Sequence, residues 1–275
     1  MKFDNDNKDI AWCPGCGHFA ILNALKKALE KTGYTNQETV LVSGIGQAAK
    51  APQYINANYF NGLHGRAIPA ATGIKASNKD LKVIVASGDG DIYGEGGNHF
   101  IHAIRRNPDI TVVVFNNMVY GLTKGQASPT TELEFVTKTQ PHGNQNEPFN
   151  PIAVSITQNI SFAARAFAGD IEQTAEMIFQ AITHKGFSLV DVLSPCVSFN
   201  KINTYGWFKQ NTFYMENHDS SDKILALKTE LENDKMPLGI FFKTDKVTFE
   251  ESEANKAKAP LYKSRPDLET IINLY

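Results

Sequence analysis

Apolar and polar positions follow two rhythms along this chain. Short, nearly continuous apolar runs cover Thr39 to Ser43, Val83 to Ser87, Thr111 to Phe115, Ser161 to Phe167 and Phe187 to Leu193, as expected of buried strands. Between them lie stretches with helical spacing: His18 to Lys31, with Phe19, Leu22, Leu25 and Leu29 near one face, then Asn98 to Arg106, then Glu172 to His184, entered at Gly169-Asp170. This alternation predicts an α/β fold, a doubly wound and mostly parallel sheet, with Phe187 to Leu193 as its last parallel strand. The stretch from Gly121 to Phe149, rich in Gly, Pro, Thr and Asn, predicts a loop long enough to be functional or disordered. After about Asn200 the pattern changes: Lys201 to Tyr275 is rich in Lys, Glu, Asp and Asn, with scattered aromatics such as Trp207, Phe208, Phe213 and Tyr214. It predicts a short helix over Ile224 to Leu231 and an edge strand over Gly239 to Phe242. Residues 1–200 are therefore expected to form the main domain, and 201–275 an extension packed on that core or on a partner chain.

The most informative residues stand where two predicted strands end. Gly88-Asp89-Gly90-Asp91 closes the run Val83 to Ser87, and Asn116-Asn117 closes the run Thr111 to Phe115. Gly94, Gly96 and Gly97 and the helix from Asn98 lie between them. Alone, Gly-Asp-Gly is turn chemistry and an Asn pair is ordinary loop sequence. On parallel neighbouring strands, however, Asp89 and Asn117 meet above the carboxyl ends, where open α/β sheets bind ligands. A carboxylate and an amide oxygen suit Mg²⁺, which keeps few protein ligands and completes its shell with phosphate. A glycine-rich helix entry adds N–H groups aimed at an anion. The spacing resembles the thiamine diphosphate (TPP) motif, and that resemblance implies Mg²⁺ held by Asp89, Asn117 and the carbonyl of Val119.

Composition narrows the class. The chain has 275 residues, 42% hydrophobic and 20% charged, as expected of a soluble globular protein. A net charge of -2 gives no sign of nucleic-acid or membrane binding. The polar start, Met1 to Asp9, is unlike a secretory signal, and the expected address is the cytoplasm. Three cysteines are too few for a disulfide framework. Cys13 and Cys16 form a C-x-x-C before a helix rather than after a strand, which argues against a thioredoxin-like pair. Zinc, an iron–sulfur cluster, a disulfide or free thiols stay open for them, with Cys196 as a third thiol distant in sequence. His99 and His102, three residues apart without a third ligand, are given no metal.

Six segments then recur in order: Trp12-Cys13-Pro14-Gly15-Cys16-Gly17-His18, Ser43-Gly44-Ile45-Gly46, Leu63-His64-Gly65-Arg66, the Gly-Asp-Gly-Asp group, Tyr120-Gly121-Leu122-Thr123-Lys124-Gly125-Gln126 and Ser194-Pro195-Cys196. In this the chain resembles the β subunits of 2-oxoacid:ferredoxin oxidoreductases, most of all the 2-oxoglutarate type, closely over Ala11 to Asn200 and more loosely beyond. The resemblance implies TPP-dependent oxidative decarboxylation of a 2-oxoacid, with coenzyme A taking the acyl group and ferredoxin the electrons. It also implies an α subunit that bears the aminopyrimidine-binding domain, so that this chain holds half a site. Cofactor contacts are expected from Gly44, Ile45, Gly46, Gln47, His64, Gly88, Asp89, Gly90, Asp91, Asn117, Gly121 and Leu122. His64 would hydrogen-bond the cofactor, and Lys124 would meet a substrate carboxylate or the partner chain. The family's fourth cluster cysteine follows the Ser-Gly-Ile-Gly turn, where this chain has Gln47. A [4Fe–4S] cluster ordinarily takes four cysteines, so a non-cysteine ligand, a [3Fe–4S] centre, a ligand from another chain and no cluster all stay open. The favoured expectation is a cluster on Cys13, Cys16 and Cys196 with an unusual fourth ligand. Two alternatives stand beside this reading: a TPP-dependent decarboxylase without electron transfer, and a non-enzymatic subunit with structural zinc.

Overall fold

The computed structural model describes residues 2–5 and 9–252, and beyond these only Lys263 and Ile272. Most of the terminal part of the expected extension thus lies outside the described residues. The chain opens on helix α1 (His18–Thr32), then strand β1 (Thr39–Ser43), a 3-10 helix (Ala48–Tyr54), β2 (Asn58–Asn61) and α2 (Ala67–Ser77). Strand β3 (Lys82–Gly88) leads through a π-helical turn (Gly90–Glu95) into α3 (Gly97–Arg106) and β4 (Ile110–Asn116). After the long loop come α4 (Pro151–Thr157), β5 (Phe162–Phe167), α5 (Ile171–Thr183) and β6 (Ser188–Leu193). Helix α6 (Tyr205–Asn211), β7 (Thr212–Tyr214), α7 (Lys223–Leu231) and β8 (Met236–Lys243) follow.

The strands form one eight-stranded sheet in the order β2-β1-β3-β4-β6-β5-β8-β7. All neighbours are parallel except β5 and β8. The mostly parallel α/β expectation is therefore correct. Phe187 to Leu193 comes last in chain order among the strands of the parallel core, and in space β6 inserts between β4 and β5. Gly239 to Phe242 pairs antiparallel with β5, and the short β7 covers only Met236–Leu238 on the far side of β8. The strand order reverses at β1, which has β2 on one side and β3 on the other. Crevices at such reversals are where α/β sheets receive ligands.

Alternation along each strand feeds two apolar layers. On one face Leu41, Ile84, Val113, Phe162 and Val190 pack with Leu22, Leu25 and Leu29 of α1 and Ile178 and Ile182 of α5. On the other, Val42, Val85, Val112, Val114 and Leu189 pack with Ile68, Phe100, Ile104, Ile152 and Ala226 from α2, α3, α4 and α7. Truncating a fully buried residue such as Phe100 to Ala would cost about 3–5 kcal/mol. Local chemistry sets the helix ends. Gly33 stops α1 in the left-handed region at φ 78°, and the side chains of Asn150 and Asp170 accept from Ala153 N–H and Gln173 N–H to cap α4 and α5.

Candidate active site

At the crevice above β1, β3 and β4, one cavity is lined by Ile45, Gly46, Gln47, His64, Gly88, Asp89, Gly90, Asp91, Asn117, Val119, Gly121 and Leu122. These come from four separate segments of chain. Asp89 and Asn117 are both buried, and their strands pair in parallel with Gly88 opposite Phe115. Two of the sequence-derived contacts stand elsewhere. Gly44 lies behind the cavity wall, and Lys124 sits one residue past Thr123 on the exposed rim, with φ 67°. His64 is exposed, and the neighbouring Arg66 guanidinium lies 2.6 Å from the imidazole Nε2 of His99.

Asp91 is engaged in shaping the site. One carboxylate oxygen accepts from Ile45 N–H at 3.0 Å and Gly65 N–H at 2.8 Å, and the other from the Ser87 hydroxyl at 2.8 Å. A single buried carboxylate thus ties the turn after β1 to the Leu63–Arg66 loop. Gly44 is glycine because a methyl group there would overlap this carboxylate, which explains its place behind the wall. The expected glycine-rich helix entry turns out to be a π-helical turn, and Gly90 in it would collide with the Tyr120 ring if it carried a side chain. Such turns are rare and gather at functional sites.

Asp89 presents a different picture. Its Oδ2 accepts from the hydroxyls of Ser128 at 2.6 Å and Thr130 at 2.8 Å, both from the long loop. Burial nevertheless pushes its carboxyl up to about 6 against the pull of those hydroxyls. A buried carboxylate in such a place is stabilised by a nearby cation. Opposite it, Asn117 Oδ1 accepts from Val119 N–H at 3.1 Å, and Met118 between them holds φ 56°. This sharp turn fixes the loop that carries Asn117 and the Val119 carbonyl. Sequence reasoning missed Ser128, Thr130 and Tyr120; the hydroxyl cluster Ser128-Pro129-Thr130-Thr131 inside the long loop was the available signal.

A second cavity adjoins the first. It is lined by Trp12, Cys13, Cys16, His18, Gln47, Asn117, Gly121 and Cys196 among others, so His18, Gln47, Asn117 and Gly121 border both. Three contacts draw the cysteine segments together: Trp12 Nε1 donates to the Gln47 carbonyl at 2.9 Å, Gly17 N–H to the Pro195 carbonyl at 3.2 Å, and the Ser198 hydroxyl to Cys13 Sγ at 3.0 Å. All three cysteines are free, and burial pushes the Cys16 thiol up to about 11. Among the described residues, no three His, Cys, Asp or Glu side chains converge closely enough to hold a metal ion. The wall between the cavities carries orphan polar atoms. Among the described residues, Gln47 Oε1 and both ring nitrogens of His18 are buried without a hydrogen-bond partner, and burial holds the His18 imidazole down to about 4. Unsatisfied groups facing a cavity are open to a ligand.

A parallel sheet with a Gly-Asp-Gly strand end and an Asn-bearing strand end over one crevice defines the diphosphate-binding domain of TPP enzymes. In agreement, residues 38–192 match the family described as "Thiamine pyrophosphate enzyme, C-terminal TPP binding domain". Residues 196–257 match the family of the C-terminal part of the pyruvate ferredoxin oxidoreductase beta subunit. The chain is 42% identical to the 2-oxoacid:ferredoxin oxidoreductase subunit beta of Saccharolobus solfataricus, over 95% of this chain and 90% of that one. It is 40% identical to the 2-oxoglutarate synthase subunit KorB of Archaeoglobus fulgidus, over 78% of this chain and 80% of that one. It superposes with a TM-score of 0.92 and 36% identity on a solved 2-oxoglutarate:ferredoxin oxidoreductase from Magnetococcus marinus, covering 100% of this chain and 96% of that one. That structure holds 2-oxoglutarate, coenzyme A and succinyl-CoA. The chain belongs to the β subunits of the 2-oxoacid:ferredoxin oxidoreductases. Neither a decarboxylase without electron transfer nor a zinc-stabilised assembly subunit is favoured by these relatives. No helix among the described residues is long and apolar enough to cross a membrane.

Proposed function

We propose that this chain binds the diphosphate end of TPP through Mg²⁺ held by Asp89, Asn117 and the Val119 carbonyl, within a heteromer that oxidatively decarboxylates a 2-oxoacid, 2-oxoglutarate foremost, and forms an acyl-CoA. The observation that carries this reading is Asp89, a buried carboxylate with no side-chain cation beside it among the described residues, sharing a cavity with Asn117. Gly88 and Gly90 would let the backbone approach the diphosphate, and Gly46, Gly121 and Leu122 would border the cofactor. Asp91 keeps the Ile45 turn and the Gly65 loop at a fixed separation on either side of it. His64 offers a hydrogen bond to the cofactor, and Lys124 meets the substrate carboxylate or the partner chain from the rim. When bound, TPP supplies the carbanion-stabilising chemistry. The aminopyrimidine-binding domain would come from an α subunit, and the electrons would pass to ferredoxin.

Cys13, Cys16 and Cys196 fit an iron–sulfur centre in donor type, since soft thiolates select such clusters. Three cysteines fall short of the usual four, so we assign them a [4Fe–4S] cluster whose fourth ligand is not cysteine. When present it would accept electrons one at a time. A cytoplasmic address suits three unpaired thiols. Residues 1–200 would form the site-bearing unit, and the following segment would brace it.

Thermal melting with TPP and Mg²⁺ tests the cofactor: both together should raise the melting temperature, and indifference to them sinks the reading. Iron and sulfide analysis with an anaerobic visible spectrum tests the cluster; colourless, iron-free, active protein excludes it. A panel of 2-oxoacids, assayed on the complex with a viologen dye, should rank 2-oxoglutarate first.

A further inference from the structure

Beside the proposed Mg²⁺ site, a row of buried polar side chains crosses the sheet and ends on α7. Asp191 on β6 is register partner to Val114 on β4 and to Arg165 on β5. Asn116 lies two residues beyond Val114, so Asn116, Asp191 and Arg165 share one face of an otherwise apolar layer. All three are at least 95% buried. Asn116 Nδ2 donates to both Asp191 oxygens at 3.2 and 3.3 Å, and the Tyr93 hydroxyl donates to Asp191 Oδ1 at 2.9 Å. Arg165 brings its Nε to 3.7 Å from Asp191 Oδ2 and clamps Glu230 of α7 with two bonds of 2.8 and 2.6 Å.

The other end of the row enters the site. With its NH₂ group held by Asp191, Asn116 must turn its Oδ1 the opposite way. There it accepts from Met118 N–H at 3.3 Å and lies 2.9 Å from the Thr130 hydroxyl, whose single proton it shares with Asp89. The Thr130 hydroxyl is also 2.8 Å from Asp89 Oδ2. Asn116 therefore steadies both halves of the proposed ligand set: the left-handed turn at Met118, which carries Asn117 and Val119, and the hydroxyl that grips Asp89. Only one orientation of the Asn116 amide satisfies these partners, and Asp191 imposes it.

We propose that Asp191 is a positioning residue for the cofactor-binding loop, and that through Arg165 and Glu230 it couples helix α7 to Mg²⁺-TPP affinity. The inference rests on the reading of the site given above. Asp191 touches neither cofactor nor substrate; it acts through Asn116. The row also gives the segment after residue 200 a part in the site, because α7 supplies Glu230, which closes the guanidinium end.

The test uses the complex of this chain with its partner subunit, freed of cofactor and titrated with Mg²⁺ at saturating TPP by calorimetry. Wild-type complex that takes up no Mg²⁺-TPP overturns the reading of the site itself. Given wild-type binding, we expect Asp191→Asn to weaken the apparent Mg²⁺ affinity by about tenfold or more, and Tyr93→Phe, bonded directly to Asp191, and Glu230→Gln, linked to it through the Arg165 ion pair, by about threefold, as for neighbours in one polar network. Lys75→Met, in the ion pair with Asp109 below the opposite ends of the strands, should lower the melting temperature and leave the affinity unchanged. Wild-type affinity in the row variants, with only their melting temperature lowered, overturns the proposal. Should Asp191→Asn fail to assemble, Tyr93→Phe and Glu230→Gln decide by the same criterion.

Discussion

At the amino ends of β3 and β4, Lys75 donates to the carbonyls of Lys79 and Leu81 at 2.9 Å each and pairs with Asp109 at 2.8 Å. Asp109 accepts in turn from Gly186 N–H, and Asn107 from Phe187 N–H. At the carboxyl ends of the same strands, Asp89 is buried without a side-chain cation, and Gln47 Oε1, Ser194 Oγ and both His18 nitrogens have no partner among the described residues. Met118 there holds left-handed backbone, and the chain enters α3 through a π turn. The same strands thus end in a cation-paired polar network below, where Glu250 Oε1 and His184 Nε2 are the unpartnered atoms among the described residues, and in a cation-free, more open one above. The lower end is built for the folded state alone, and the upper end is completed by what binds there.

Asp109→Ala should break the lower end most. It leaves the Lys75 ammonium with only the Lys79 and Leu81 carbonyls and no counter-charge, and loss of one partner of a largely buried pair costs up to about 3–5 kcal/mol. Denaturant unfolding should show that loss, with the response to Mg²⁺-TPP unchanged. A like effect on cofactor response would erase the contrast.

Asp89→Asn should act in the opposite sense. The folded carboxyl titrates at about 6 against its ordinary 3.8, so between these values the folded state holds more protons than the unfolded. Stability of the cofactor-free protein should fall as pH rises through that window and stay lower above it. Two pKa units correspond to about 3 kcal/mol, which Asp89→Asn should restore at pH 7 while abolishing stabilisation by Mg²⁺-TPP. Melting curves at pH 4 and pH 7, with and without cofactor, read both effects. Lower stability in the variant at pH 7 would refute the sign.

Gly44→Ala forces a methyl group into the Asp91 carboxylate and should cost about 1–3 kcal/mol, as overpacking does. It should also weaken cofactor binding by loosening the Ile45 turn, seen as a smaller thermal shift with Mg²⁺-TPP. The smallest change is expected at Gln47. Because its Oε1 satisfies no neighbour among the described residues, Gln47→Ala should alter unfolding free energy by no more than about 0.5 kcal/mol. A larger loss would mean that the amide is structural after all.

Local signals made much of this legible beforehand. Strands β1, β3, β4, β5 and β6 announce themselves by apolar runs, and the glycine–aspartate and asparagine strand ends by residues that few other contexts combine. Helix α2 hid because Pro69 and Gly73 interrupt its pattern, and β2 because Asn58–Asn61 is exposed throughout and has no buried face to betray it. Asp91 lines the cavity as expected, but its clamp between Ile45 and Gly65 was out of reach, since it depends on distant segments meeting. Arg165 and Asp191 stand inside apolar runs with nothing local to link them, because only sheet register pairs them. The antiparallel pairing of β8 with β5 was equally out of reach: strand order is a long-range property that local composition does not carry.

Among the described residues, strand β2 forms one outer edge of the sheet, with Tyr59 51% and Phe60 48% exposed. Such a margin offers unpaired backbone amides to any extended peptide, including another copy of this chain. Solitary subunits should consequently clump on concentration, and co-expression with the companion polypeptide should be the practical route to well-behaved material.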